Sequence, residues 1–141
     1  MYTYNYPRAA VTVDAILISP ENNVLLIERG RDPFEGCWAF PGGFIEMDED
    51  LDIACRRELD EETGIKVEGL KQFKAFGDVN RDPRHRTISI VFYCLTESEI
   101  QPTAGDDAAN ARWFSLNELP DLAFDHGQIL EEFRNEILKK L

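Results

Sequence analysis

The sequence has 141 residues, a length typical of one domain with a buried core. Apolar residues make up 43% of the chain, which excludes a disordered protein. The formal net charge of −12 argues against binding to nucleic acid or to an acidic membrane surface, because both need basic protein surface.

The first third of the chain predicts a β-hairpin, a short strand and a glycine loop. Residues 1–8 form a tyrosine-rich tail, which we expect to become an edge strand or a dimer arm. Apolar, β-rich runs predict strands over 9–18, 24–29 and 37–40, separated by a turn at 20–23 and a polar loop at 30–36. Residues 41–43 continue as a glycine loop.

A helix is predicted directly after this loop, over residues 51–63. Asp50 stands at its start as an N-cap, and Gly64 follows its end, where glycine readily adopts the left-handed conformation. Apolar residues at spacings of three and four predict one buried stripe, formed by Leu51, Ala54, Cys55 and Leu59.

The rest of the chain predicts further strands and a second helix. We expect a strand within 67–79, a polar loop at 80–86, a strand over 87–96, an acidic loop at 97–110, a short strand over 111–114 and one helical turn at 115–119 capped by Ser115. A helix over 125–140 would bury Ile129, Leu130, Phe133, Ile137 and Leu138. This order indicates a mixed sheet covered on both faces by helices.

Three carboxylates crowd the last turns of the first helix. Glu58, Glu61 and Glu62 recur at spacings of three and four, so they share one face, where the negative end of the helix dipole repels them. Arg57 compensates only part of this charge. Oxygen ligands without Cys or His suit Mg²⁺ or Mn²⁺, so the cluster predicts a binding site for one of these ions. The alternative is an acidic, solvated surface helix.

The same residues carry a family resemblance. Gly43, five residues, Glu49, seven residues and then the run from Arg57 to Ile65 resemble the signature box of the Nudix hydrolases, with every fixed position present. The resemblance implies an α/β fold, the Nudix-type α/β/α sandwich with a mixed β-sheet between helices. It also implies one Nudix hydrolase domain over residues 1–141 and hydrolysis of a nucleoside diphosphate linked to another group.

The resemblance assigns metal-binding roles within the box. It makes Glu58 and Glu62 the main ligands of Mg²⁺ or Mn²⁺, with Glu61 in support, and the Gly43 carbonyl a backbone ligand because glycine allows close approach. Glu49 would pair with Arg57 or bind a second ion. Arg57 would orient Glu61 and Glu49, or would form an ordinary surface ion pair.

The base that deprotonates the attacking water has two candidate locations. Glu62 is one. The family often takes this residue from a loop before the last short strand, where Asp106 or Asp107 would stand here. The alternative for these two aspartates is a solvated turn.

Substrate choice is expected to rest on residues 77–86, which hold three arginines and a histidine in an acidic chain. Guanidinium groups suit phosphate oxygens, so Arg81 and Arg84 are predicted to bind substrate. The run 81–84 resembles the ADP-ribose pyrophosphatase subgroup, which splits ADP-ribose into AMP and ribose 5-phosphate, as does the run 125–127. His85 follows Arg84 directly, which departs from the subgroup pattern.

Other candidate substrate-binding residues lie around the glycine loop. Arg29 at a strand end is predicted to reach a phosphate, next to Gly42 and Gly43. Phe40, with Phe34 and Trp38, is a candidate for stacking a base, although aromatic residues beside a strand more often belong to the core. His126 is expected to cap or pack rather than to catalyse.

Two other functions share these features. One is a pyrophosphohydrolase that removes oxidised nucleoside triphosphates, such as 8-oxo-dGTP. The other is a non-catalytic Nudix sensor of ADP-ribose-like ligands. For each we expect a small nucleotide ligand, no nucleic acid or membrane partner and a possible homodimer. Three cysteines without a pairing pattern, no visible secretion signal and no membrane-spanning run predict a cytoplasmic protein.

Overall fold

A computed structural model describes residues 3–105 and 108–141 of the chain. Within these residues the elements are β1 (Ala10–Ile18), β2 (Asn23–Arg29), β3 (Trp38–Ala39), β4 (Gly42–Phe44), α1 (Leu51–Thr63), β5 (Lys71–Phe76), β6 (Thr87–Leu95), β7 (Ala108–Ser115) and α2 (His126–Glu136). A short 3₁₀ helix, Leu138–Lys140, follows α2. Across the described ranges, none of the helices has the length and apolarity that crossing a membrane requires.

The strands form the predicted mixed sheet, in the order β3-β2-β1-β6-β5. β1 runs parallel to β6 along its whole length and antiparallel to β2. β4 adds to β1, and β7 adds to β2, both antiparallel. β1 is therefore the strand that joins the two halves of the sheet.

The sheet is covered by one helix on each face. Along β1, Val13, Ala15 and Leu17 pack with α1 residues, whereas Ile16 and Ile18 pack with α2 residues. This alternation is the two-residue period of a strand that is buried on both faces. The observed architecture is the expected α/β/α sandwich.

Helix α1 has the predicted bounds, and its end is capped as predicted, whereas its start is not. Gly64 adopts the left-handed conformation at φ 72°, and its N–H donates to the Asp60 carbonyl oxygen at 2.8 Å. Asp50 stands at the N-cap position with extended backbone, yet its side chain makes no capping hydrogen bond. The predicted capping role of that carboxylate is therefore wrong.

Four other elements differ from the sequence-based expectations. Residues 42–44 form β4 rather than a loop, because they pair with β1. β7 includes 108–110, because these residues continue the pairing with β2. The predicted C-terminal helix divides at Ile137 into α2 and the 3₁₀ helix. The predicted helical turn at 115–119 is a non-helical turn at 116–118 that follows β7, and the Asn117 N–H donates to Ser115 Oγ at 3.2 Å.

Candidate active site

A cavity of about 650 Å³ lies where β1, β4 and the end of α1 meet the loop before β6. Its lining carries both signs of charge, from Asp14, Asp32, Glu46, Glu58, Glu62 and Asp82 and from Arg29, Arg31, Arg57, Arg81 and Arg84. The predicted site residues Phe40, Gly42 and Gly43 line it as well. Glu49 and Glu61 lie outside this lining. The fold thus brings most of the predicted site residues around one space.

Glu58 lies directly against strand β4. A Cβ atom built on Gly43 would come within 2.6 Å of the Glu58 carboxyl group, so glycine is what allows the two to approach. Burial raises the pKa of Glu58, while Arg57, which donates to Glu58 at 2.9 Å, opposes this rise. A half-buried carboxylate that lines a cavity is a suitable ligand for a hard cation.

Arg57 connects three of the box carboxylates. Its Nε and Nη2 donate to Glu49 at 2.9 and 2.6 Å, and its Nη1 donates to Glu58 at 2.9 Å and to Glu61 at 3.2 Å. Nη2 also donates to the Phe44 carbonyl oxygen at 3.2 Å. The hydrogen bond from Arg57 lowers the pKa of Glu49. These are the contacts that an orienting role requires, and they tie α1 to β4.

Glu62 links the end of α1 to the glycine strand. Its Oε1 accepts a hydrogen bond from the Gly42 N–H at 2.7 Å. Behind it, the N–H groups of Thr103 and Gly105 donate to the carbonyl oxygens of Thr63 and Glu62 at 2.8 and 3.0 Å, which satisfies the end of the helix. The candidate bases Asp106 and Asp107 lie outside the described residues.

The donor set around Gly43 suits a hard divalent cation in kind. Glu58 and Glu62 offer carboxylate oxygens in the same cavity, which Gly43 also lines. No group of three or more His, Cys, Asp or Glu side chains is already gathered around one point in the described ranges. A site of this kind therefore depends on the backbone oxygen and on water, as Mg²⁺ sites commonly do.

Arg81 is held by a carboxylate at the start of α2. Its Nε and Nη2 donate to the two oxygens of Asp125 at 2.9 and 2.7 Å, and its side chain is only 5% exposed. This bidentate pair occupies the guanidinium group that was predicted to bind substrate. The geometry gives Arg81 the role of fixing the loop before β6 against α2.

We therefore expect Asp125→Asn to lower the free energy of unfolding by roughly 2–3 kcal/mol, because it leaves the buried Arg81 charge uncompensated. Urea unfolding followed by circular dichroism measures this loss. Glu136→Gln is the matched control, since Glu136 pairs with Lys74 at the surface, where both side chains are at least one third exposed. Glu136→Gln should cost clearly less stability than Asp125→Asn, because exposed ion pairs contribute little. Equal losses in the two variants would contradict the anchoring role.

Arg84 and Arg29 approach each other beside Phe124. Their guanidinium carbons lie 5.7 and 5.0 Å from the centre of that ring. Burial and the charge of Arg84 lower the pKa of Arg29. Arg29 Nε donates to the Pro33 carbonyl oxygen at 2.7 Å. Two guanidinium groups in one cavity repel each other, so the arrangement favours an anionic ligand.

The aromatic candidates divide between core and cavity. Phe40 is buried and stacks on His126, with ring centres 4.7 Å apart, so its ring is not open to a base and its predicted stacking role is wrong. Trp38 packs edge-on against Phe114. Phe34 is 39% exposed and contacts Phe124. His126 has the packing role expected of it.

Sequence reasoning missed a buried polar cluster beneath the cavity. Asp14 accepts a short hydrogen bond from Ser89 Oγ, and its carboxylate lies 3.9 Å from His126 Nε2. His126 Nδ1 accepts the Phe40 N–H at 3.1 Å, and burial lowers the pKa of this histidine although Asp14 opposes the shift. An aspartate inside the apolar run of β1 was the available signal, because such a position is costly without partners.

Comparisons with known proteins point to one family. The NUDIX domain family matches residues 8–133. The ADP-ribose pyrophosphatase of Methanocaldococcus jannaschii is 44% identical over 129 residues, which cover 91% of this chain and 75% of that protein. The ADPR responsive transcriptional repressor NtrR of Acinetobacter baylyi is 32% identical, over 91% of this chain and 54% of its own length. The NUDIX domain of Shewanella oneidensis NrtR, complexed with ADP ribose, superposes with a TM-score of 0.87 at 30% identity, covering 94% of this chain and 90% of that one.

Proposed function

Because the chain belongs to the NUDIX domain family, we propose that it is a metal-dependent hydrolase that splits ADP-ribose into AMP and ribose 5-phosphate. The observation that carries the proposal is the composition of one cavity. Glu58 and Glu62 line it together with Arg29 and Arg84. Carboxylates that hold a cation and guanidinium groups that hold phosphate oxygens are both needed to cleave a diphosphate.

The proposed reaction is the attack of one water on a phosphorus of the diphosphate. The bridging P–O bond breaks, the leaving phosphate keeps the bridging oxygen, and Glu62 accepts the proton of the water. Glu58, Glu62 and the Gly43 carbonyl would hold Mg²⁺ or Mn²⁺, which would supply positive charge against the diphosphate. Arg57 keeps Glu58 in place, with Glu49 and Glu61 on its other nitrogens. Arg29 and Arg84 bind phosphate oxygens.

The substrate panel with and without metal is the direct test. With Mg²⁺, we expect kcat/KM for ADP-ribose to exceed that for nucleoside triphosphates by at least about tenfold, which corresponds to about 1.4 kcal/mol in transition-state binding. Excess chelator should remove the activity, and added Mg²⁺ or Mn²⁺ should restore it. Calorimetry of Mn²⁺ binding to the wild type and to Glu58→Gln gives a readout that does not depend on turnover. Turnover of oxidised triphosphates above ADP-ribose would favour the triphosphate alternative, and full activity in chelator would exclude metal dependence.

A second candidate is an ADP-ribose sensor without catalysis. It is favoured by the similarity to the NrtR domain that was solved with ADP ribose. The box keeps all of its carboxylates in this chain, which favours the enzyme. Binding of ADP-ribose without any release of AMP, with Mg²⁺ present, would reverse that order.

The remaining expectations stay predictions. They are a single Nudix domain over residues 1–141, a homodimer, the absence of a nucleic-acid partner and a cytoplasmic location. Light scattering of the purified chain tests the dimer. A DNA-binding assay tests the partner, since the net charge of −12 opposes contact with phosphate backbones.

A further inference from the structure

Asp82 is buried although it stands in a polar surface loop. Its side chain is 2% exposed, between two arginines that are three positions apart. A buried carboxylate is costly unless several donors satisfy it. Asp82 Oδ1 accepts the Arg84 backbone N–H at 2.9 Å and the Arg84 Nε–H at 3.1 Å. Its Oδ2 accepts Arg84 Nη2 at 2.9 Å and Thr87 Oγ1 at 3.3 Å.

These bonds fix the side chain of Arg84 at the cavity wall. The fork formed by Nε and Nη2 is occupied by Asp82. The guanidinium carbon lies 5.6 Å from the ring centre of Phe44 and 5.7 Å from that of Phe124, so aromatic rings also border it. Nη1 has no hydrogen-bond acceptor among the residues that the structure describes. The Arg84 side chain is nevertheless 38% exposed, which leaves donors for a ligand.

Asp82 also reduces the cost of holding two cations together. Arg84 lies close enough to Arg29 to disfavour its charge, and Asp82 acts on Arg29 in the opposite direction. Burial would raise the pKa of Asp82, but the hydrogen bonds from Arg84 reverse this and hold it below the usual value. Asp82 is therefore an anion at neutral pH. A diphosphate bound between the two arginines would add the second anion that the pair attracts.

We infer that Asp82 is a positioning residue that aligns Arg84 for binding the diphosphate of the nucleotide ligand. The inference rests on the proposed function only in that the cavity receives a nucleoside diphosphate group. Asp82 acts through Arg84 and does not itself touch the ligand. In the run 81–84, Arg81 thus anchors the loop through Asp125, and Arg84, held by Asp82, binds the ligand.

A double-mutant cycle on ADP binding tests this inference. The variants are Asp82→Asn, Arg84→Ala and the combination, and the probe is ADP with Mg²⁺, measured by calorimetry. We expect each single variant to raise the Kd for ADP about tenfold, since hydrogen bonds to charged groups are of this size. In the Arg84→Ala background, Asp82→Asn should raise the Kd for ADP by less than about a further twofold, because the two residues act as one unit. Asp78→Asn is the matched control. Asp78 is exposed in the same loop, so the Kd of this variant for ADP should equal that of the wild type.

Several results would overturn the inference. They are an equal effect of Asp82→Asn with and without Arg84, an unchanged Kd in Asp82→Asn, or no loss of ADP affinity in Arg84→Ala. In kinetics with ADP-ribose, the positioning role predicts a higher KM with kcat changed less than about threefold. A purely structural role would instead lower the folded fraction and reduce kcat and stability together.

Arg84→Lys keeps the test available if Asp82→Asn fails to fold. Lysine retains the charge but cannot form the planar two-nitrogen fork with Asp82. We expect its Kd for ADP to resemble that of Arg84→Ala, and wild-type affinity would overturn the inference. The result is separable from the proposed function. If the cycle shows the expected coupling but the protein does not cleave ADP-ribose, the inference about Asp82 stands and the proposed hydrolase activity is wrong. If the protein cleaves ADP-ribose but shows no coupling, the proposed function stands and the inference is wrong.

Discussion

Glu62→Gln is expected to reduce kcat for ADP-ribose hydrolysis by roughly 10²- to 10⁴-fold while ADP-ribose still binds. Glutamine has the same size, and its carbonyl oxygen can accept the Gly42 N–H that Glu62 now accepts at 2.7 Å. The local fold should therefore survive. The amide cannot take a proton from water at neutral pH, and it is a weaker ligand for a hard cation. AMP release measures kcat, and calorimetry measures the Kd for ADP-ribose.

Glu61→Gln is the matched control for this experiment. It is the same substitution one residue away, on a side chain that is 59% exposed and bonded to Arg57 at 3.2 Å. Because Glu61 has a supporting role, Glu61→Gln should reduce kcat by less than about tenfold. If Glu62→Gln kept more than about a tenth of the wild-type kcat, the assignment of Glu62 as base and ligand would fail. Equal losses in the two variants would make their roles indistinguishable and would contradict the ranking proposed above.

Gly42→Ala is expected to lower the free energy of unfolding by roughly 3 kcal/mol or more. A Cβ atom at this position would lie 2.2 Å from the Val13 carbonyl oxygen and 2.3 Å from Asp14 Oδ1. The first of these belongs to the backbone of the central strand β1, so the strain cannot be relieved by a side-chain rotation. The pairing of β4 with β1 would open, and with it the hydrogen bond from Gly42 to Glu62. Urea unfolding measures the stability, and kcat should fall in the folded fraction.

Gly127→Ala provides a control with the opposite sign. Gly127 lies within α2, and a Cβ built on it meets no atom within 4 Å. Alanine there should stabilise the protein by about 0.5–1 kcal/mol, because glycine is the poorer helix former. If Gly42→Ala were as harmless as Gly127→Ala, β4 would not be the rigid support on which Glu62 and Gly43 depend.

Charged side chains that line the cavity are held by hydrogen bonds to neighbouring residues. Arg57 ties α1 to β4, Asp125 ties the loop before β6 to α2 through Arg81, and Asp82 aligns Arg84. Each link is a charge-assisted hydrogen bond, which is short and directional. Pre-organisation of this kind lowers the entropy that a ligand must remove on binding. We therefore expect that removing one residue of such a hydrogen-bonded pair also changes the position of the other.

Much of the site was predictable where it depends on neighbours in sequence. The spacing of Glu58, Glu61 and Glu62 and the position of Gly64 follow from the geometry of one helix, in which residues three and four apart are adjacent. The buried stripe of α1 and the alternation within β1 were predictable for the same reason. Strand β4 was not, because a three-residue segment with two glycines has little intrinsic preference for a strand and forms one only by pairing with β1.

The sequence by itself determined the helix with its acids, the mixed α/β architecture and the family resemblance, since these arise from local periods and fixed spacings. Only the tertiary structure decided how each arginine of the run 81–84 is held, although both line the cavity. Arg81 and Arg84 are equivalent in sequence, and Arg81 becomes an anchor because Asp125, 44 positions away, reaches it. The hydrogen-bond partners of Asp14 and His126 were also visible only in the tertiary structure, because they lie 75 and 86 positions away in the sequence. The roles of charged side chains depend on which partners the fold brings within about 3 Å, and that distance is not encoded in any local pattern.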